Sequence, residues 1–109
     1  MAKSKFSLSA TPTFKAKVAI PIPGKQAELV EFTFKARTRD EFREFVDQIQ
    51  NADSSTGDVD TILDIASGWE LDDPFDREHI ELLTQNYLGA AKAVIGTYFT
   101  ELTQARIKN

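Results

Sequence analysis

Two stretches of strict alternation decide most of what this chain can become. Phe14, Ala16, Val18 and Ile20 point one way along an extended backbone, while Lys15 and Lys17 point the other. Val30, Phe32, Phe34 and Ala36 repeat the pattern against Glu31, Thr33, Lys35 and Arg37. A period of two marks strands with one buried face and one wet face. Between them lies Pro21-Ile22-Pro23-Gly24-Lys25-Gln26, which cannot continue a ladder and so turns the chain. The two strands therefore form an antiparallel hairpin. Lys15 and Lys17 can sit across from Glu31, a cross-strand attraction of roughly a few tenths of a kcal/mol. A lone hairpin is marginal in water, so its Phe/Val face needs helices to cover it.

The next residues supply them. Thr38 and Glu41 stand at capping-box spacing, and Phe42, Phe45, Val46 and Ile49 then fall at i, i+3, i+4 and i+7. This predicts a helix over Arg39 to Asn51. Residues 51–57 read as a loop. Val59, Ile62, Leu63 and Ala66 predict a shorter second helix that Gly68 stops, followed by Trp69 and an acidic turn at Asp72-Asp73-Pro74. Asp76 suits the N-cap of a third helix, with Ile80, Leu83 and Tyr87 as its inward stripe and Leu82 beside it. Gly89 interrupts. A last helix of about 18 residues then runs through Ala90, Val94, Tyr98, Phe99 and Leu102 toward Arg106 and Lys108, spanning roughly 27 Å.

The expected fold is thus α+β. A loose Ser/Thr-rich tail over 1–13 precedes one domain over 14–109, a hairpin packed on three to four helices.

Composition narrows the chemistry. The chain has 109 residues, 41% of them apolar and 28% charged, and no cysteine, so disulfides and thiolate chemistry are excluded. No apolar run approaches the roughly 20 residues that span a bilayer. Lys3 and Lys5 lack a following apolar block, so the N-terminus does not read as a secretory signal. Net charge is −4, divided as +3 over residues 1–52 and −7 over residues 53–109. Between Asp53 and Glu81 ten carboxylates face one arginine, Arg77. Such a surface repels phosphate backbones and argues against nucleic-acid binding. The acids solubilise loops and helix starts. A sharper reading is that they attract a basic partner segment or discourage self-association.

Catalytic signatures are missing one by one. His79 is the only histidine, in the first turn of the third helix beside Glu78 and Glu81, where a solvated role is the plain reading. No serine sits in a Gly-x-Ser-x-Gly elbow, and the glycines at 24, 57, 68, 89 and 96 are too scattered for a phosphate loop. Asp53 to Asp64 has the length of a calcium loop. Its sixth position is Asp58 where a glycine is needed, its fifth is Gly57, and Asp64 is too short for the usual bidentate glutamate. Asp72, Asp73 and Asp76 read as a solvated turn. No cofactor, metal site or enzymatic role is expected.

What remains is apolar surface. Trp69 and Phe75 lie in a connecting loop, where they either plug the core or mark a binding surface. Tyr98 and Phe99 are adjacent on the last helix and point about 100° apart, so one can pack inward while the other stays more exposed. That helix either packs on another chain, self-association included, or spans the domain's own core. The candidate partner-binding residues are Trp69, Phe75, Tyr87, Tyr98 and Phe99.

The chain resembles the tail assembly chaperones of long-tailed bacteriophages. The likeness runs from Phe14-Lys15-Ala16-Lys17-Val18 and Phe32-Thr33-Phe34-Lys35-Ala36 through Arg39-Asp40-Glu41-Phe42 and Gly68-Trp69-Glu70. It is best over Asn86-Tyr87-Leu88-Gly89-Ala90-Ala91, Tyr98-Phe99, Leu102 and Ala105-Arg106-Ile107-Lys108-Asn109. The resemblance implies a non-catalytic protein of the host cytoplasm, absent from the mature virion. It also implies that the protein binds the tape measure protein and keeps it soluble while tail tube protein assembles around it. The alternative expectation is a small structural tail or head–tail connector protein of the virion.

Overall fold

A computed structural model of the chain describes residues 8, 12–51 and 57–103. The alternating segments form β1 (Thr13–Ile22) and β2 (Lys25–Lys35), antiparallel from Thr13 opposite Lys35 to Ile22 opposite Lys25. Lys17 lies opposite Glu31. The strands run further than the prolines suggest, because Pro21 and Ile22 still belong to β1 and only Pro23-Gly24 turns. Gly24 takes a positive φ of 76°, the conformation a two-residue turn asks of a residue without Cβ. Val18, Ile20, Val30, Phe32 and Phe34 are buried on one face, as the alternation requires.

α1 spans Arg39–Asn51. Its capping box is formed in both directions: the Thr38 Oγ1 accepts from the Glu41 N–H at 3.2 Å, and the Glu41 carboxylate accepts from the Thr38 N–H at 2.8 Å. That backbone bond, helped by the Thr38 hydroxyl, lowers the Glu41 pKa. α2 (Asp58–Ile65) is followed at once by β3 (Ala66–Trp69). The sequence reading extends this helix to Ala66 and leaves Trp69 in a loop. Instead, Ala66, Gly68 and Trp69 pair with Phe34, Thr33 and Phe32 on the free edge of β2, giving a three-stranded sheet in the order β1-β2-β3. Glu70 continues the edge, its N–H donating to the Glu31 carbonyl and its carboxylate accepting from the Glu31 N–H.

α3 (Arg77–Asn86) starts on Asp76, whose carboxylate accepts from the His79 N–H at 2.9 Å. α4 (Ala90–Thr103) buries Ala90, Ala91, Val94 and Tyr98 against the sheet and neighbouring helices, so its main face serves the domain's own core. Its expected continuation toward Arg106 and Lys108 lies outside the described residues. So does most of the expected tail. Within the described part, Pro12 accepts from the Ala36 N–H and Thr13 opens β1. Among the described residues no helix is long and apolar enough to cross a membrane.

Candidate functional site

A groove of about 510 Å³ opens between α1, α2 and α4. α1 contributes Phe45, Gln48 and Ile49; α2 contributes Asp58, Asp60, Thr61 and Asp64; α4 contributes Ile95 and Phe99. Phe45 with Ile49 and Ile95 with Phe99 are both i, i+4 pairs, so each helix turns a stacked apolar pair toward the gap. The three aspartates all come from α2 and form an acidic lip on one side. The acids follow from the helix itself: Ile62 and Ile65 face the core, leaving Asp58, Asp60 and Asp64 on the outer face. Among the described residues no lysine, arginine or histidine lines the groove.

α1 reaches the body through rings. Phe42 meets Phe99 at 5.4 Å between centroids, and Phe45 meets Phe99 and Tyr98, each at 5.9 Å. Its backbone stands off from the other elements. Among the described residues no hydrogen bond or ion pair ties α1 to another element.

Behind the groove, Tyr98 is fully buried. Its hydroxyl donates to the Lys35 carbonyl at 2.8 Å and accepts from the Arg37 guanidinium at 2.6 Å. Burial raises the Tyr98 pKa, and the Arg37 contact offsets part of that rise. Arg37 also pairs with Asp64 at 2.9 Å and lies over the Phe45 ring, 4.2 Å from its centroid. One guanidinium thus touches α1, α2 and α4.

The other sequence candidates gather elsewhere. Trp69 sits edge-on to Phe75 at 5.0 Å and to Phe32 at 5.7 Å, and its indole N–H donates to the Asp73 carbonyl at 2.7 Å. Trp69 and Phe75 are half-buried and close one end of the core. A shallower recess of about 300 Å³ beside them is lined by Trp69, Leu71, His79, Leu82 and Tyr87, among others. Leu71 and Leu82 are exposed there. The structure therefore puts Phe99 on the groove with Tyr98 buried behind it, and gathers Trp69, Phe75 and Tyr87 elsewhere.

His79 holds a position that neither core nor solvent alone explains. Its Nδ1 lies 2.6 Å from the Asp76 carboxylate, which already caps α3. That bond raises the His79 pKa, while the His79 N–H and ring lower that of Asp76. Among the described residues no group of three His, Cys, Asp or Glu side chains is placed to hold a metal ion.

A model of the phage tail assembly chaperone family matches residues 1–109. The chain belongs to this family. Comparison with curated proteins and with solved structures returned no match. Phe99 was singled out from the sequence and lines the groove, and the α2 aspartates belong to the acidic stretch read there as able to attract a basic segment, but Phe45, Ile49 and Ile95 were not singled out. Their signal was weak: Phe45 and Ile49 read as the inward stripe of α1, and only the position of α2 beside α4 turns them into a wall.

Proposed function

We propose that this chain binds the tape measure protein and keeps it soluble while tail tube subunits assemble around it. It acts in the host cytoplasm, takes no catalytic part and leaves before the virion matures. The observation that carries the reading is the helix-walled apolar groove, with Ile49 already 38% exposed. A long helical partner presents apolar stripes, and a groove of this kind covers a short length of one. In this reading Phe99 touches the partner, Tyr98 holds α4 in place beneath it, and the recess at Trp69, Phe75 and Tyr87 offers a second contact to the tail tube protein.

Co-expression tests it. The soluble fraction of the tape measure protein should rise several-fold when this chain is present and fall back when Ile95→Glu replaces the native chain. Equal insolubility with and without the native chain defeats the proposal. Mass spectrometry of purified virions should find the chain missing; stoichiometric amounts would favour a structural tail or connector protein instead.

A further inference from the structure

We infer that the groove between α1, α2 and α4 selects one amphipathic helix whose apolar stripe is flanked by lysines or arginines. The inference rests on the chaperone reading for the identity of the partner, but its argument is electrostatic.

The apolar floor sets the shape of the occupant. Phe45/Ile49 and Ile95/Phe99 each span one helical turn, about 6 Å. Two such pairs facing a common gap accept large apolar side chains spaced i, i+3 or i+4 on a single helix.

The walls set its charge. Asp58, Asp60 and Asp64 line one side, and among the described residues nothing basic lines any side. α2 carries three aspartates and no cation, and α1 carries four carboxylates against two arginines. Asp60 and Asp64 are bridged to Arg77 and Arg37. Both aspartates remain about half exposed; the Asp60–Arg77 pair is open on both sides and weak enough for a partner's cations to replace, while Asp64 keeps its exposed face free to share alongside the largely buried Arg37. Asp58 has no ion-pair partner among the described residues.

The asymmetry sets orientation. Carboxylates occupy the α2 side only, while the α4 side offers Ile95 and Phe99. An incoming helix with its basic flank toward α2 therefore drops its apolar stripe onto the floor, which fixes its rotation about its own axis. The described helices of a second copy offer no such basic flank. α1, α2 and α3 each carry more acids than bases, and α4 carries one of each, Lys92 and Glu101.

Three stapled, fluorescein-labelled helical peptides test the inference against the full chain by anisotropy. They need stapling because free helices of about 15 residues are marginal. All share one leucine stripe, and their flanks are lysine, glutamine or glutamate. The lysine peptide should bind about tenfold tighter than the glutamate peptide at low salt, the scale of several exposed charge contacts acting together. That preference should shrink as salt rises, because exposed charges are screened. The variant Asp58→Asn/Asp60→Asn/Asp64→Asn should bring the peptides within about twofold of one another, and Ile95→Glu should weaken all three. The salt comparison uses the unaltered chain, so it decides even if a variant unfolds. Equal binding of the peptides, no binding of any, or a salt-independent preference overturns the inference. So does a homodimer in sedimentation that Ile95→Glu dissolves. Indifference to flank charge in a chain that still solubilises the tape measure protein removes this inference and leaves the proposed function standing. Selective lysine-peptide binding in a chain that fails to solubilise it does the reverse.

Discussion

Tyr98 on the last helix donates its phenolic proton to the carbonyl of Lys35 at the end of β2, 2.8 Å away. This bond, doubled by Arg37 on the same hydroxyl, joins segments 63 residues apart and fixes the floor on which Phe99 stands. Removing the hydroxyl leaves a carbonyl and a guanidinium short of a partner. Tyr98→Phe should lower unfolding free energy by about 1–3 kcal/mol, seen as a loss of several degrees in Tm, with the ring contacts retained. No change in Tm would mean the hydroxyl is not bonded in solution. The same burial predicts a pH effect. The folded Tyr98 holds its proton more tightly than an unfolded tyrosine. Its contribution is therefore complete below the ordinary value of 10.0 and is lost as pH rises through the higher folded value. Stability curves above pH 10 should fall more steeply for the native chain than for Tyr98→Phe.

The single histidine offers a clean titration. Asp76 raises the His79 pKa above the ordinary 6.5. Its share of stability is thus fully present below 6.5 and lost as pH climbs through the folded value, while that of Asp76 is lost as pH falls through its lowered value. Ring resonances of His79 should titrate with a midpoint above 6.5, and Asp76→Asn should return it toward 6.5. An unshifted midpoint in the native chain would contradict the pairing.

Gly89, between α3 and α4, lies against the hairpin. A Cβ built there would stand 2.9 Å from the Pro21 Cγ, a contact that side chains do not tolerate without movement. The proline ring is rigid and fused to the β1 backbone, so relief of the contact must move the backbone. Gly89→Ala should cost about 1–3 kcal/mol, and Pro21→Ala in the same chain should recover much of it. Additive effects in that double-mutant cycle by chemical denaturation would place the two residues apart.

Phe99 separates binding from folding only in part, because its ring also supports Phe42 and Phe45. Ile95 is the better probe. Ile95→Ala should cost stability modestly, by about 1–2 kcal/mol for a half-buried aliphatic, yet weaken capture of the tape measure protein at least several-fold in pull-down. Unchanged capture would move the contact surface away from this groove.

The sequence made some parts of this fold plain because their causes are local. Alternation needs only neighbouring residues, and so the buried faces of β1 and β2 were legible down to Phe34. The Thr38–Glu41 box fixed the start of α1 because its atoms lie within one turn. β3 was hidden for the opposite reason. Ala66-Ser67-Gly68-Trp69 is too short to show a period and becomes a strand only because β2 leaves an edge unpaired. The groove was hidden too, since it belongs to no segment. Ile49 and Phe99 are ordinary helix residues until α2 brings its aspartates alongside. The Tyr98 hydroxyl could not be placed in advance either, as its acceptor lies on a distant strand.

The ring-only attachment of α1 has a mechanical consequence. Dispersion contacts weaken gradually with displacement, whereas a hydrogen bond is lost over a short distance. A wall seated mainly on Phe42 and Phe45 should therefore yield to small displacements more gradually than one held by hydrogen bonds. In the proposed role, such compliance would let one groove accept side chains of different size along a helical partner.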